Sequence, residues 1–289
     1  SSAAQGSDRL AARRRKRRVR SMIACVILLA LLLWASVYGL SPPAVRISSV
    51  EVVGTDTSLA PLETPAQARS GISDALSLTG LVEIAKEDMQ GSYLGVIQRD
   101  SIFFFPASRI RADILAAHPD FAAVSISRTG LTSISIKIDE RVPIARWCGL
   151  APTPGVDSYC YVFDASGVIF AAAATTTRTI NSFIVYAPLE GATEEPLRAS
   201  ITQAHLLPAA FDFARQLSTF GSPVASIVLR GDEVDDYFEN GTRLSYVLGH
   251  EQDAYTALMS ARTNLNVADG SLDYVDLRFD GKIYLKKKK

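Results

Sequence analysis

Residues 121–147 read FAAVSISRTGLTSISIKIDERVPIARW, and this stretch decides the fold. Val124 and Ile126 alternate with Ser125 and Ser127, and Ile134, Ile136 and Ile138 alternate with Ser135, Lys137 and Asp139. A period of two sends one set of side chains into a core and the other into water, so each half is a strand with one buried face. Thr129 and Gly130 between them supply the turn of an antiparallel hairpin.

Upstream, Pro106 opens a helix with Ile110, Ile114 and Leu115 on its buried side, and the Pro119 ring prevents continuation beyond His118. An earlier helix is predicted from Thr64, Pro65 and Gln67, which combine a threonine cap, a first-turn proline and a capping-box glutamine. Ala68, Ile72 and Leu76 mark its face, and Gly80 is its expected stop. Residues 45–54, with Ile47, Val50, Val52 and Val53, read as a strand. Residues 45–140 thus run strand, helix, helix, strand, strand, an order that folds as a three-stranded sheet with two helices on one face.

Downstream, residues 141–285 read as a mostly antiparallel β domain with two helices, which makes the fold class α+β. Strands are expected at 142–147, 159–163, 168–170, 183–186, 226–230 and 242–248, with turns at 164–167 and at Asn240 and Gly241. The helices fall at 206–220 and 252–265, the second with Tyr255, Leu258, Met259 and Leu265 on one side. Two closing strands flank Asp280 and Gly281. Residues 171–182 and 187–200, rich in Ala, Thr, Pro and Glu, read as long surface connections, and the four lysines at 286–289 as a basic tail.

The N-terminal region carries a different signal. Residues 22–40 hold 19 residues without a charge, ten of them Leu, Ile or Val. At 1.5 Å per residue such a helix spans about 28 Å, close to a bilayer's hydrocarbon core, and its insertion is favoured by roughly 3 to 6 kcal/mol. Arg13, Arg14, Arg15, Lys16, Arg17, Arg18 and Arg20 crowd one flank, so residues 1–21 are expected to stay cytoplasmic and the rest to lie outside. A nucleic-acid-binding arm and a cleaved signal peptide are the competing readings of this region. The basic run abuts the apolar one, the apolar run is longer than a usual signal-peptide core, and no clean small-x-small site follows, which favours the anchor.

The formal net charge of zero conceals an asymmetry. Removing the eight basic residues and one acidic residue of the tail leaves 22 basic and 29 acidic, net −7. Nucleic acid is therefore not the expected partner of the remainder. Of three cysteines, Cys25 lies in the apolar run, while Cys148 and Cys160 flank a short stretch containing Pro and Gly. In an oxidising compartment those two can close a disulfide; two small buried thiols are the alternative.

Catalytic constellations are sparse. There is no His-Glu-x-x-His, no Gly-x-Ser-x-Gly, no phosphate-binding glycine loop and no Cys-x-x-Cys. A cysteine nucleophile would need Cys148 or Cys160 activated by His118, His205 or His250. Residues 164–167 lack the spaced carboxylates of a calcium loop, and Asn240-Gly241-Thr242 serves a hairpin turn better than a glycosylation acceptor. No cofactor, metal or small-molecule substrate is expected.

The hairpin with its exit from Glu140 to Trp147, the stretch Tyr161 to Phe170, and Tyr274 to Phe279 together resemble the FtsQ/DivIB family of bacterial cell-division proteins. The first looks like the family's POTRA hairpin and its Glu-Arg-x-Pro-x-Ala-x-Trp signature. The second is similar to a strand, aspartate-to-glycine turn and strand of its β domain, and the third to its near-terminal Asp-Leu-Arg segment. Residues 55–101 are longer than the family's POTRA segment, and the cysteine pair is not general in it.

The resemblance implies a non-enzymatic, single-pass scaffold of the cell membrane at the division site. Its partners would be FtsB/DivIC-like and FtsL-like bitopic division proteins, docking on the last strand. That role is carried onto Lys282, Ile283, Tyr284 and Leu285, with Phe279 nearby; the competing reading has Ile283 and Leu285 simply filling the core. A POTRA-bearing transport or secretion component is the alternative function.

Overall fold

The structure, a computed structural model, describes residues 20–288 except 33, 35–44, 55–78, 96, 153–158, 175–176, 192–194, 264 and 280. The chain is α+β, and it divides into two compact units, the second beginning at Glu140 and including Pro119–Ala122. The described part of the apolar run, residues 22–32 and Trp34, is helical, residues 20–32 forming the described part of α1. Among the described residues no helix is long and apolar enough to cross a membrane. Residues 35–40 of the expected span lie outside the described residues, as do Arg13, Arg14, Arg15, Lys16, Arg17 and Arg18.

In the first unit, β1 (Ser49–Gly54) is followed by α2 (residues 79–88), a small hairpin of β2 (Ser92–Tyr93) and β3 (Ile97–Gln98), then α3 (Ala107–Ala117), β4 (Phe121–Arg128) and β5 (Ser133–Glu140). The sheet order is β1-β5-β4, with β1 parallel to β5 from Ser49 opposite Ser133 to Gly54 opposite Ile138. Ile134, Ile136 and Ile138 are buried as the alternation requires, together with Val124; Ile126 is only half-buried. Ile110 and Ile114 of α3 are fully buried, and Pro106 and His118 bound that helix.

One expectation fails here. Gly80 does not stop a helix; among the described residues it lies within the helix that runs on to residue 88. The apolar stripe belongs to Leu81, Ala85 and Met89, whose spacing of four keeps them on one face and buried. The helix expected from Thr64 falls on residues outside the description.

The second unit is built on a nine-stranded sheet in the order β14-β13-β12-β11-β10-β9-β6-β7-β8. The strands are β6 (Ala145–Trp147), β7 (Tyr161–Phe163), β8 (Ile169–Ala172), β9 (Ile184–Tyr186), β10 (Val224–Arg230), β11 (Glu233–Phe238), β12 (Arg243–Val247), β13 (Leu272–Phe279) and β14 (Lys282–Lys287). Five of its eight pairings are antiparallel. Two helices join its core: α4 (Leu207–Leu217) with Leu207, Ala210, Phe211, Ala214 and Leu217 on its buried stripe, and α5 (Glu251–Ala261) with Ala254 and Leu258. Phe213 meets Tyr246 of β12 edge to face at 4.8 Å.

Sequence reading missed β11. Its segment, Glu233 to Phe238, carries two adjacent aspartates that argue against a strand. In the sheet, Val234 and Phe238 enter the core while Asp235 pairs with Arg230 and accepts from the Ser245 hydroxyl. Asp236 is fully buried.

The stretches 171–182 and 187–200 are also less superficial than expected. Asn181, Ala187 and Ala199 are buried, and isolated bridges tie Val168 to Ser200 and Leu189 to Ile201. Alanine carries too little apolar surface to mark an inward face in the sequence.

The turn from β7 to β8 is fixed by one carboxylate. Asp164 Oδ1 accepts from the Ser166 N–H (2.9 Å), the Ser166 hydroxyl (2.6 Å) and the Val168 N–H (3.1 Å), while Oδ2 pairs with Arg141. Gly167 follows at φ +79°, where a Cβ would meet the Ala204 Cβ at 2.5 Å, so only glycine fits. Burial pushes the Asp164 carboxyl up, but the bonds from Ser166, Arg141 and Val168 outweigh it and hold it below the ordinary range. The stabilisation is therefore present above the ordinary carboxyl pKa and is lost as pH falls through the lowered one. Asp164→Ala is expected to cost about 1–3 kcal/mol at neutral pH, a deficit that shrinks on acidification in urea titrations. An equal deficit at all pH values would refute this.

Candidate partner-binding edge

β13 joins the sheet beside β12 as a parallel neighbour, after the chain has crossed over through α5. It then turns back at Gly281, φ +66°, into antiparallel β14. β14 ends the strand order, so its far side offers backbone donors and acceptors to an added strand. The ladder is irregular twice, between Leu272 and Tyr274 and between Asp276 and Phe279, which twists the hairpin.

The side chains sort by face. Ile283 is partly buried against the core. Phe279, Tyr284 and Leu285 stay 51%, 48% and 46% exposed, too much for core residues and enough to form an apolar patch. Phe279 and Tyr284 meet edge to face at 5.2 Å, and the Arg278 guanidinium lies 5.9 Å from the Phe279 centroid. Lys282, also exposed, stands opposite Phe279. The structure thus groups Phe279 with Tyr284, sets Lys282 opposite Phe279, and turns Ile283 inward; Leu285, next to Tyr284 in the strand, lies on the other face and stays exposed at its margin.

A row of charges, not singled out in the sequence, runs beside this patch. Arg278 binds Asp276 at 2.7 Å and Glu233 at 2.6 Å, and Lys286 binds Asp273 at 2.7 Å. Arg243 and Lys286 both lie over the Tyr274 ring, at 5.4 and 5.9 Å. The Arg278 hydrogen bond holds the Asp276 carboxyl low despite burial, and the Lys286 hydrogen bond does the same for Asp273. Both carboxylates stay charged, so the edge presents fixed, paired ions around an apolar centre. Acidic residues at 273 and 276 followed by basic residues at 278 and 286 were the available signal.

The strand also runs further than expected. Lys286 and Lys287 belong to β14, the Lys288 N–H donates to the Ser271 carbonyl at 2.8 Å, and its ammonium donates to the Asn240 carbonyl at 2.8 Å. Lys286 to Lys288 are thus not a loose tail, because the strand continues through Lys287 and acceptors stand within reach of the Lys286 and Lys288 cations.

Other candidate chemistry is located as follows. Cys148 and Cys160 are joined in a disulfide, so neither carries a thiol. His250 Nδ1 sits 3.2 Å from Asp253 at the start of α5, His118 caps α3, and His205 lies in the 3-10 turn before α4. Thr242 is buried with its hydroxyl donating to the Leu272 carbonyl at 3.0 Å, and the Asn240 amide donates to the Val267 carbonyl at 2.7 Å. Both groups needed for glycosylation are thereby committed to the turn. Comparison with known protein families and with curated proteins finds no match to this chain.

Proposed function

We propose that this chain is a bitopic scaffold of the bacterial division site, of FtsQ/DivIB type. It holds residues 1–21 in the cytoplasm and its two compact units on the outer side. In this reading the first unit is a POTRA-type module and the second is a platform for other division proteins. The observation that carries the proposal is β14: the outermost strand of a large sheet, with Phe279, Tyr284 and Leu285 exposed beside it.

An incoming strand would satisfy the open backbone of β14 and set its own apolar side chains against the Phe279–Tyr284 pair. The flanking Arg278 and Lys286 pairs would fix its register. No reaction is required of such a protein.

Capture of a small coiled-coil division protein of the FtsB/DivIC type tests this. Full-length chain in mild detergent is expected to retain that partner, and a chain ending at Asp280 to lose it. Tyr284→Asp, which leaves the strand in place, is expected to weaken capture by about tenfold or more, as for a central aromatic contact. Undiminished capture by both variants, with unchanged circular dichroism, would remove the edge from the proposal.

A further inference from the structure

The hairpin β2–β3 has an unusual tip. Leu94 and Gly95, in the three-residue connection between the paired Tyr93 and Ile97, both have positive φ, +52° and +73°, a backbone conformation that glycine and asparagine adopt most readily. Leucine is poorly suited to that backbone conformation, and here its side chain is 100% exposed. In water both features are unfavourable, whereas in an apolar medium the second becomes favourable.

Other large apolar side chains of this unit are also exposed. Tyr93, Phe103 and Phe104 are exposed, and so is Leu131 in the turn between β4 and β5. Cations frame them: Arg99 lies 5.2 Å from the Tyr93 centroid, and Arg128 lies 5.6 Å from that of Phe105 while donating to the Phe103 carbonyl. Arg46 faces Asp100 at 4.0 Å.

Backbone bonds tie this group to the residues that follow the apolar run. The Ile102 N–H donates to the Val45 carbonyl, the Ile47 N–H to the Asp100 carbonyl, and the Ser48 N–H to the Thr132 carbonyl. Leu40, the last residue of the run, lies only five residues before Val45. Five residues reach about 17 Å at full extension, so an anchored chain must hold this end of the unit at the bilayer surface.

We propose that Tyr93, Leu94, Phe103 and Phe104, together with Leu131, form a membrane-dipping patch. Leu94, Phe103 and Phe104 would enter the outer headgroup and upper acyl region, while Tyr93, Arg46, Arg99 and Arg128 sit among anionic headgroups. Aromatic rings and arginines are the side chains suited to that boundary. The proposal rests on the anchoring read above for residues 22–40 and adds to it a second, peripheral contact that fixes the tilt of the first unit.

The test uses the full chain with Cys25→Ser, spin-labelled at Leu94→Cys or Phe103→Cys, in vesicles of phosphatidylcholine and phosphatidylglycerol. Lys137→Cys, exposed near the far end of β5, is the reference. Labels at 94 and 103 are expected to collide with oxygen in severalfold preference to a water-soluble nickel chelate, relative to 137. A chain that resists carbonate extraction but gives equal ratios at all three sites overturns the patch and leaves the anchor standing. Extraction by carbonate overturns both. Spin–spin broadening at 94 that vanishes on dilution with unlabelled chain would assign the patch to a second copy instead, and would equally overturn it.

Discussion

Replacing Asp236 by leucine is expected to stabilise the second unit by about 1–3 kcal/mol near neutral pH. Asp236 is 0% exposed on the core face of β11, and neither carboxylate oxygen has a hydrogen-bond partner. The Tyr246 hydroxyl, equally buried, is also without one. Burial first, and then the charge of Glu251 at the start of α5, push the Asp236 carboxyl well above its ordinary range. Burial and the two carboxylates likewise push the Tyr246 phenol up, so it stays protonated.

The folded chain therefore keeps a proton on Asp236 that the unfolded chain releases above about pH 4. From there up to the raised pKa, stability falls by about 1.4 kcal/mol per pH unit for this one group, and below the ordinary pKa its contribution is undiminished. Asp236→Leu is expected to flatten that decline, so its advantage over wild type grows between pH 5 and pH 8 in urea unfolding. A parallel pair of stability curves would show that the carboxyl is not the source.

Opening the Cys148–Cys160 bond is expected to cost about 3 kcal/mol, the chain-entropy estimate for a loop of this size. The bond closes the connection between β6 and β7 next to the pair Trp147 and Tyr161. Its surroundings are ordered: the Cys148 N–H donates to the Val185 carbonyl at 3.0 Å, and Trp147 Nε1 donates to the Ala187 carbonyl at 2.9 Å. Cys148→Ala with Cys160→Ala should lower the urea midpoint, and reductant should do the same to wild type but not to the variant. Equal midpoints for all samples would mean that the strands hold the loop without help. Cys25 is the other cysteine, so thiol titration before and after reduction reports the bond directly.

What the sequence revealed followed the strength of its periodicities. The hairpin of β4 and β5 was legible because three isoleucines alternate with polar residues without interruption. The position of α4 was legible because its large apolar residues recur at helical spacing. β11 was hidden, since an aspartate on a core face contradicts the rule that reveals strands, and the same aspartate is what makes that strand unusual. The helix through 79–88 was obscured by Gly80, which reads as an end but here lies within the helix. At the candidate edge, Tyr284 and Leu285 were visible as apolar positions on a terminal strand. Arg278 bridging to Glu233 was not, because 45 residues separate the pair and only the sheet brings them together.

The parallel pairing of β1 with β5 bears on how the first unit carries load. Under the anchoring proposed above, tension would enter at the leading end of β1, while the connection onward leaves from the trailing end of β5. Tension between those points slides the two strands along each other and stresses all six rungs from Ser49 to Gly54 together, rather than peeling them one by one. A tether built in that geometry resists traction by its whole length at once.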